Sequence, residues 1–287
     1  MEKFLIIGAT GNIGFPLVQY LNQNSDVNLV VGAHNVTKTQ ATFNNYRNLE
    51  VKHFDFLDPN TFNDSFSGVS KVFFVRPPQL ANPKVDMLPF LKFAKNQRIQ
   101  QIIFVSLIGV EKNPMTPHHK IEKMIEELNL PHTFIRPSFF MQNLNTTHQF
   151  DIQKHHDLFI PAGNAKTSFI DTRDIGEVAA ISLLDSKYLG QKLNITGPMA
   201  LTYSEIAQIM SEILPFKVTY SKPSLLKFRK TMLHRGLKKD YVNVMVMLYL
   251  ITQLGNAKTV TKTAEKVLGR KPHSIQTYIK DYQNDFE

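Results

Sequence analysis

The sequence contains no cysteine. Disulfides, a thiolate nucleophile, iron–sulfur clusters and cysteine-ligated zinc are therefore excluded, and the chain is expected in a reducing, cytoplasmic setting. No apolar run is long enough to cross a bilayer. The most apolar stretch, residues 242–251, holds about ten residues against the roughly 20 that a span needs, and it includes Asn243. Residues 1–7 run straight into a glycine loop and lack the form of a signal peptide. No membrane partner is expected. Metal motifs are missing too. His118-His119 and His155-His156 are adjacent pairs rather than i, i+4 pairs, and no H-E-x-x-H occurs, so no metal site is expected. The absence of G-x-S-x-G argues against an α/β-hydrolase.

Acidic residues are the scarcer charge, 24 against 33 Lys plus Arg, for a net charge of +9. The excess is local. Lys217, Lys222, Lys227, Arg229, Lys230, Arg235, Lys238 and Lys239 fall in one stretch without an Asp or Glu. A solvated helix face is the default reading, and an acidic partner or anionic substrate is the other. Nothing there resembles a nucleic-acid-binding motif, so nucleic acid is not an expected partner.

What is present is an alternation of strand-like and helix-like segments. Short, mostly apolar runs at 3–7, 28–32, 51–55, 71–75, 101–106 and 132–136 predict strands. Helical spacing at 14–22, 87–96 and 118–128 separates several of them. Strands joined by such helices predict an α/β fold, a doubly wound parallel sheet covered on both faces. Beyond about Phe140 the pattern changes. A short strand at 168–170 and a helix at 174–184 precede helices at 203–214, 241–252 and 261–268, with a short strand possible at 217–220. This predicts a dinucleotide-binding Rossmann domain over 1–155 and a smaller, mainly helical C-terminal lobe over 156–287, with 168–196 returning to the first domain.

Gly8-Ala9-Thr10-Gly11-Asn12-Ile13-Gly14 carries the sharpest signal. Its glycines stand at i, i+3 and i+6, after a strand and before a helix. Gly8 permits the turn, Gly11 allows close approach to a pyrophosphate, and Gly14 lets the helix pack tightly. Thr10, Asn12 and Ile13 complete the loop as cofactor contacts, with phosphates at the helix N-terminus. After the second strand, Ala33-His34-Asn35-Val36-Thr37-Lys38 lacks the carboxylate that holds an NAD ribose. His34, Asn35 and Lys38 can instead meet a 2′-phosphate, which favours NADP(H) over NAD(H). The alternative is an exposed His34 and an unselective site. Asp55 can accept from the adenine amino group and Phe56 can line its pocket, although a surface turn fits these residues nearly as well. Val75, Arg76 and Pro77 close the fourth strand at the ligand-binding edge of the sheet.

Beyond the glycine loop, three stretches extend the pattern. They are Val105-Ser106 with residues 118–124, the run from Leu130 to Asn143 through Ile135-Arg136-Pro137, and Phe169 to Ala179 through Asp174-Ile175-Gly176. Together with the tail from Leu268 to Tyr278, they make the chain resemble an NmrA-like atypical short-chain dehydrogenase/reductase, close to the NAD(P)H:quinone oxidoreductase type. The resemblance implies an extended Rossmann fold with a helical substrate lobe. It does not imply one activity, because the group includes reductases and non-enzymatic redox sensors.

One departure from the wider superfamily is informative. Typical members carry Tyr-x-x-x-Lys on the helix after the fifth strand, yet no tyrosine lies between Tyr46 and Tyr188. Aligned through Glu122, His118 takes the tyrosine's place and can serve as general acid, with Glu122 one turn away to hydrogen-bond to it. Ser106 can orient a carbonyl or touch the nicotinamide. The plain alternative is that His118 and Glu122 merely decorate a helix. Quinone reduction asks little of a protein acid, since hydride transfer is easy and solvent can protonate the product. The expected function is hydride transfer from NADPH to a quinone or similar small electrophile. An NAD(P)-sensing regulator that binds a protein partner is the alternative, and a sugar-nucleotide epimerase fits least. A homo-oligomer is compatible with either leading reading.

Overall fold

In the computed structural model, which describes residues 1–24 and 26–287, the chain divides into two compact units. The first takes residues 1–137, 172–195 and 266–269, and the second takes 138–171, 196–265 and 270–287. The expected boundary near 155 falls inside the second unit, because the last contiguous strand of the main sheet ends at Pro137.

The first unit runs β1 (Lys3–Ile7), α1 (Gly14–Asn24), β2 (Asn28–Ala33), α2 (Val36–Thr42), β3 (Leu49–His53), α3 (Phe62–Ser65), β4 (Lys71–Val75), α4 (Pro83–Asp86), α5 (Leu88–Asn96), β5 (Gln101–Val105), α6 (Pro117–Glu127) and β6 (His132–Pro137). In the second unit the chain then forms β7 (Phe139–Phe140), α7 (Gln149–His155) and β8 (Thr167–Ile170). It returns to the first for α8 (Thr172–Leu184) and β9 (Lys192–Ile195). β10 (Ala200–Leu201), α9 (Tyr203–Ile213), α10 (Leu225–His234), α11 (Lys239–Gln253), α12 (Thr263–Leu268) and α13 (Ile275–Asp281) follow.

Seven parallel strands form the first unit's sheet in the order β3-β2-β1-β4-β5-β6-β9. Burial of β4 and β5 on both faces explains the apolar runs that follow Lys71 and Gln101. The strand order reverses beside β1, which pairs with β2 on one side and β4 on the other. Ligands bind at such a switch point in open α/β sheets. A phenylalanine-rich core, with Phe54, Phe56, Phe62, Phe74 and Phe90, fills one face. On the other, α8 packs against α1. A Cβ on Gly176 would lie 2.8 Å from the Leu17 nitrogen and 2.9 Å from the Ile13 oxygen, so only glycine permits this approach.

Three elements differ from expectation. The third strand is Leu49–His53, so Asp55 lies beyond it in a turn whose Leu57 N–H donates to the Asp55 carboxylate at 2.8 Å. The helix expected over 87–96 forms as α5 from Leu88, and an additional short helix, α4, precedes it, each with a proline in its first turn. Around 217–220 there is only a single bridge, between Asp157 and Thr219.

The second unit has a three-stranded sheet, β10-β8-β7, and a helical core that includes Phe228, Tyr249 and Tyr278. Two of its buried ionisable groups are paired internally. Arg235 grips the Asp151 carboxylate with two hydrogen bonds of 2.8 and 2.6 Å, and the His148 ring meets the Tyr249 hydroxyl at 2.7 Å. Among the described residues, no helix is long and apolar enough to cross a membrane.

Candidate active site

The glycine loop leaves β1 at the switch point. Gly8 adopts φ +88°, the left-handed region that favours glycine. Gly11 turns back to donate to the Gly8 carbonyl at 3.1 Å. Gly14 is the strictest position, because a Cβ there would lie 2.2 Å from the Gly8 oxygen and 2.7 Å from the Ala9 Cα. Among the described residues, the N–H groups of Asn12 and Ile13 donate to no backbone carbonyl. This is a cradle with open donors at a helix start, which suits a pyrophosphate.

A cleft of about 510 Å³ extends from this loop. Gly8, Thr10, His34, Asn35, Lys38, Phe56, Val75 and Pro77 line it, so the structure brings these sequence-predicted residues together. Phe54, Thr39 and Thr42 also line it and were not legible as site residues. Phe54 crosses the end of β2, where a Cβ on Gly32 would sit 3.0 Å from the Phe54 Cβ. Gly32, one residue before the end of β2, was the available hint.

The 2′ end of the cleft is mixed in charge. Asn35 is spent on α2, its side-chain oxygen capping the helix by accepting from the Lys38 N–H at 2.9 Å. The Lys38 ammonium makes no hydrogen bond or ion pair among the described residues. His34 is largely exposed, and its Nδ1 lies 3.7 Å from the Asp55 carboxylate. Asp55 itself is outside the cleft lining.

Arg76 departs from its expected role. One guanidinium nitrogen donates to the carbonyls of Pro77, Pro78 and Leu80 at 2.9, 3.0 and 2.9 Å, which pins the loop after β4. Its buried Nε has no partner.

Ser106 follows β5. Its hydroxyl is buried without a hydrogen-bond partner, although its N–H joins the Ile135 carbonyl at 2.7 Å. Buried hydroxyls are normally satisfied; this one lies open at the C-terminal edge of the sheet, and the Ser138, Thr167 and Ser182 hydroxyls are likewise buried without partners. His118 sits in the first turn of α6, which Thr116 caps and Pro117 opens. Its ring stacks on Phe104 at 5.9 Å between centroids. Burial, reinforced by the positive charge of Arg76, pushes the imidazole down to about 3. His118 is therefore neutral at physiological pH.

Glu122 does not serve His118. It is buried and forms a two-pronged ion pair with Arg136 of β6, at 3.0 and 2.5 Å, with Glu111 adding a third contact at 3.3 Å. A buried carboxylate requires a cation, and Arg136 supplies it from the adjoining strand. Among the described residues, no group of three or more His, Asp or Glu side chains is arranged to hold a metal.

Comparison with known proteins agrees with this architecture. The chain is 28% identical to prestalk A differentiation protein A of Dictyostelium discoideum, over 97% of this chain and 92% of that protein. It is 28% identical to the NAD(P)H azoreductase of Xenophilus azovorans, over 98% of each chain. In structure it is similar to an NADPH-dependent quinone oxidoreductase from Escherichia coli, crystallised with NADPH. The TM-score is 0.87 at 20% identity, covering 98% of this chain and 100% of that one. That likeness speaks to the fold. The NmrA-like family model matches residues 1–279, and the chain therefore belongs to the NmrA-like family.

Proposed function

We propose that this chain is an NAD(P)H-dependent oxidoreductase that reduces a quinone or a similar small electrophile. The observation that carries the reading is the Gly8–Gly14 cradle opening into a cleft lined by Phe56 at its apolar side and Lys38 at its polar side. An oxidoreductase role is supported by the names of relatives that match nearly the whole chain, among them the azoreductase.

Reduced nicotinamide supplies a hydride when bound. The loop N–H groups would hold the pyrophosphate, and Phe56 and Phe54 would line the adenine side. The Ser106 hydroxyl, with no partner of its own, is available to hydrogen-bond a carbonyl oxygen of substrate or cofactor. A neutral His118 donates a hydrogen bond rather than a full proton, so solvent protonates the reduced product. This suits an acceptor such as a quinone, whose reduced oxygen needs little acid assistance.

Preference for NADP(H) rests on Lys38, with His34 beside it. The nearby Asp55 carboxylate works against a 2′-phosphate and limits the preference. The test is a binding titration with NADPH and NADH. Lys38→Ala is expected to weaken NADPH about tenfold, the equivalent of roughly 1.4 kcal/mol, and to leave NADH unchanged. Equal weakening of both cofactors removes the assignment.

A redox sensor is the second reading, and the neutral His118 is what favours it, since no cationic acid stands ready for catalysis. It is distinguished by a chain that binds the dinucleotide, turns over no acceptor, and binds a protein partner differently with NADPH and NADP⁺.

A further inference from the structure

α11 is the most apolar helix of the second unit, and it is only half covered. Val242, Met245, Tyr249 and Thr252 are buried. On the remaining surface, Tyr241, Val244, Met247, Leu248 and Leu250 are 41–49% exposed and Leu254 is 70% exposed. A surface helix ordinarily turns charged residues to water. Here no charged residue occurs from Tyr241 to Ala257. Single exposed apolar residues are unremarkable, but a continuous helical face of them marks an interaction site.

The pattern identifies the occupant. Tyr241, Val244, Leu248 and Ile251 follow a 3-4-3 spacing, the seam through which one helix packs along another. Charge is confined to the ends of the helix. Lys238 and Lys239 flank its start, Asp240 offsets one of them, and its last turn has no basic residue. Lysines at a helix N-terminus oppose their own dipole and would favour the C-terminus of a neighbouring helix. Two copies of α11 set side by side in opposite directions satisfy this at both ends. The two lysine clusters then lie about 20 Å apart, well beyond a screening length of about 8 Å. A parallel arrangement would bring them together. Opposed directions are also what a twofold axis across the helix produces.

We propose that the exposed face of α11 is a self-association surface on which a second copy of this chain docks through its own α11, antiparallel, with Val244 facing Leu248. An anionic membrane fits less well. Helices that lie in the bilayer surface carry Lys and Arg along their polar face, and α11 carries none beyond Lys239.

The test is the mass of the full chain in solution, measured by light scattering and sedimentation over a wide concentration range. A particle of twice the chain mass is expected. Val244→Lys combined with Leu248→Lys is expected to raise the dissociation constant at least tenfold while the circular dichroism spectrum stays as in the wild type. The cysteine-free background allows a second test that does not depend on disrupting the surface. Chains carrying Val244→Cys mixed with chains carrying Leu248→Cys should form disulfide-linked dimers faster than either chain alone. A monomer at every concentration overturns the proposal. So does a dimer that survives the double lysine variant, or a monomer that sediments with phosphatidylserine vesicles through these same residues.

Discussion

Both units leave buried hydroxyls without partners, Ser106 in the first and Ser138 and Thr167 in the second, but they differ in what surrounds them. At the ligand edge of the first, the Ser106 hydroxyl and the Arg76 Nε are buried without partners, and His118 is desolvated beside a cation. In the second, Asp151 is closed by Arg235 and His148 by Tyr249, while a helix of apolar side chains faces outward. Unsatisfied polar groups reduce stability and are retained where a ligand satisfies them. On the readings proposed above, the ligand edge of the first unit receives a small polar molecule and the exposed face of α11 in the second meets an apolar surface.

The comparison can be broken in several places, beginning with the closed pairs. In the first unit's own closed pair, Glu122→Ala leaves the buried Arg136 with only the Glu111 contact at 3.3 Å and should cost about 3 kcal/mol in urea unfolding. A loss below about 1 kcal/mol would mean that solvent already reaches the pair. Acid should act on the second unit through His148, whose burial pushes it from the ordinary 6.5 to about 4. The unfolded chain binds a proton below pH 6.5 that the native chain refuses, so stability falls as pH drops from 6.5 to 4. The loss should approach about 3 kcal/mol at pH 4, and His148→Gln should flatten that part of the profile.

Changes at the open edge should affect ligand binding more than folding. Gly14→Val forces a side chain into the Gly8 carbonyl, costing about 1–3 kcal/mol of stability and abolishing detectable dinucleotide binding in calorimetry. Ser106→Ala is the most diagnostic change. It removes a hydroxyl that has no partner, so thermal stability should stay constant or rise by up to about 1 kcal/mol while reductase activity falls. A destabilised Ser106→Ala chain would show that the hydroxyl is satisfied in the native protein.

The backbone of the first unit was legible because its signals are local. Apolar runs marked β1, β2, β4, β5 and β6 closely, and glycine spacing marked the loop. Side-chain partnerships were less legible, because they depend on residues brought together by the sheet. Helical spacing gave Glu122 to His118, yet Arg136 lies one strand away and carries the charge that burial requires. Arg76 looked like a ligand contact by its place after β4, but its geometry serves three carbonyls of the following loop. Phe54 passed unnoticed because the expected third strand ran through it, whereas the strand stops at His53. In the second unit the basic stretch proved heterogeneous. Arg235 is consumed by Asp151 and Arg229 reaches Asn243, while Lys227, Lys230 and Lys239 remain exposed.

The proposed function has the first unit hold a dinucleotide whose hydride goes to a small electrophile. Steady-state oxidation of NADPH with a simple benzoquinone tests it most directly. The expected result is saturable turnover that disappears in Gly14→Val, with no inflection near pH 6.5 from His118. NADPH that binds tightly yet is oxidised by neither quinone nor azo acceptors would contradict it.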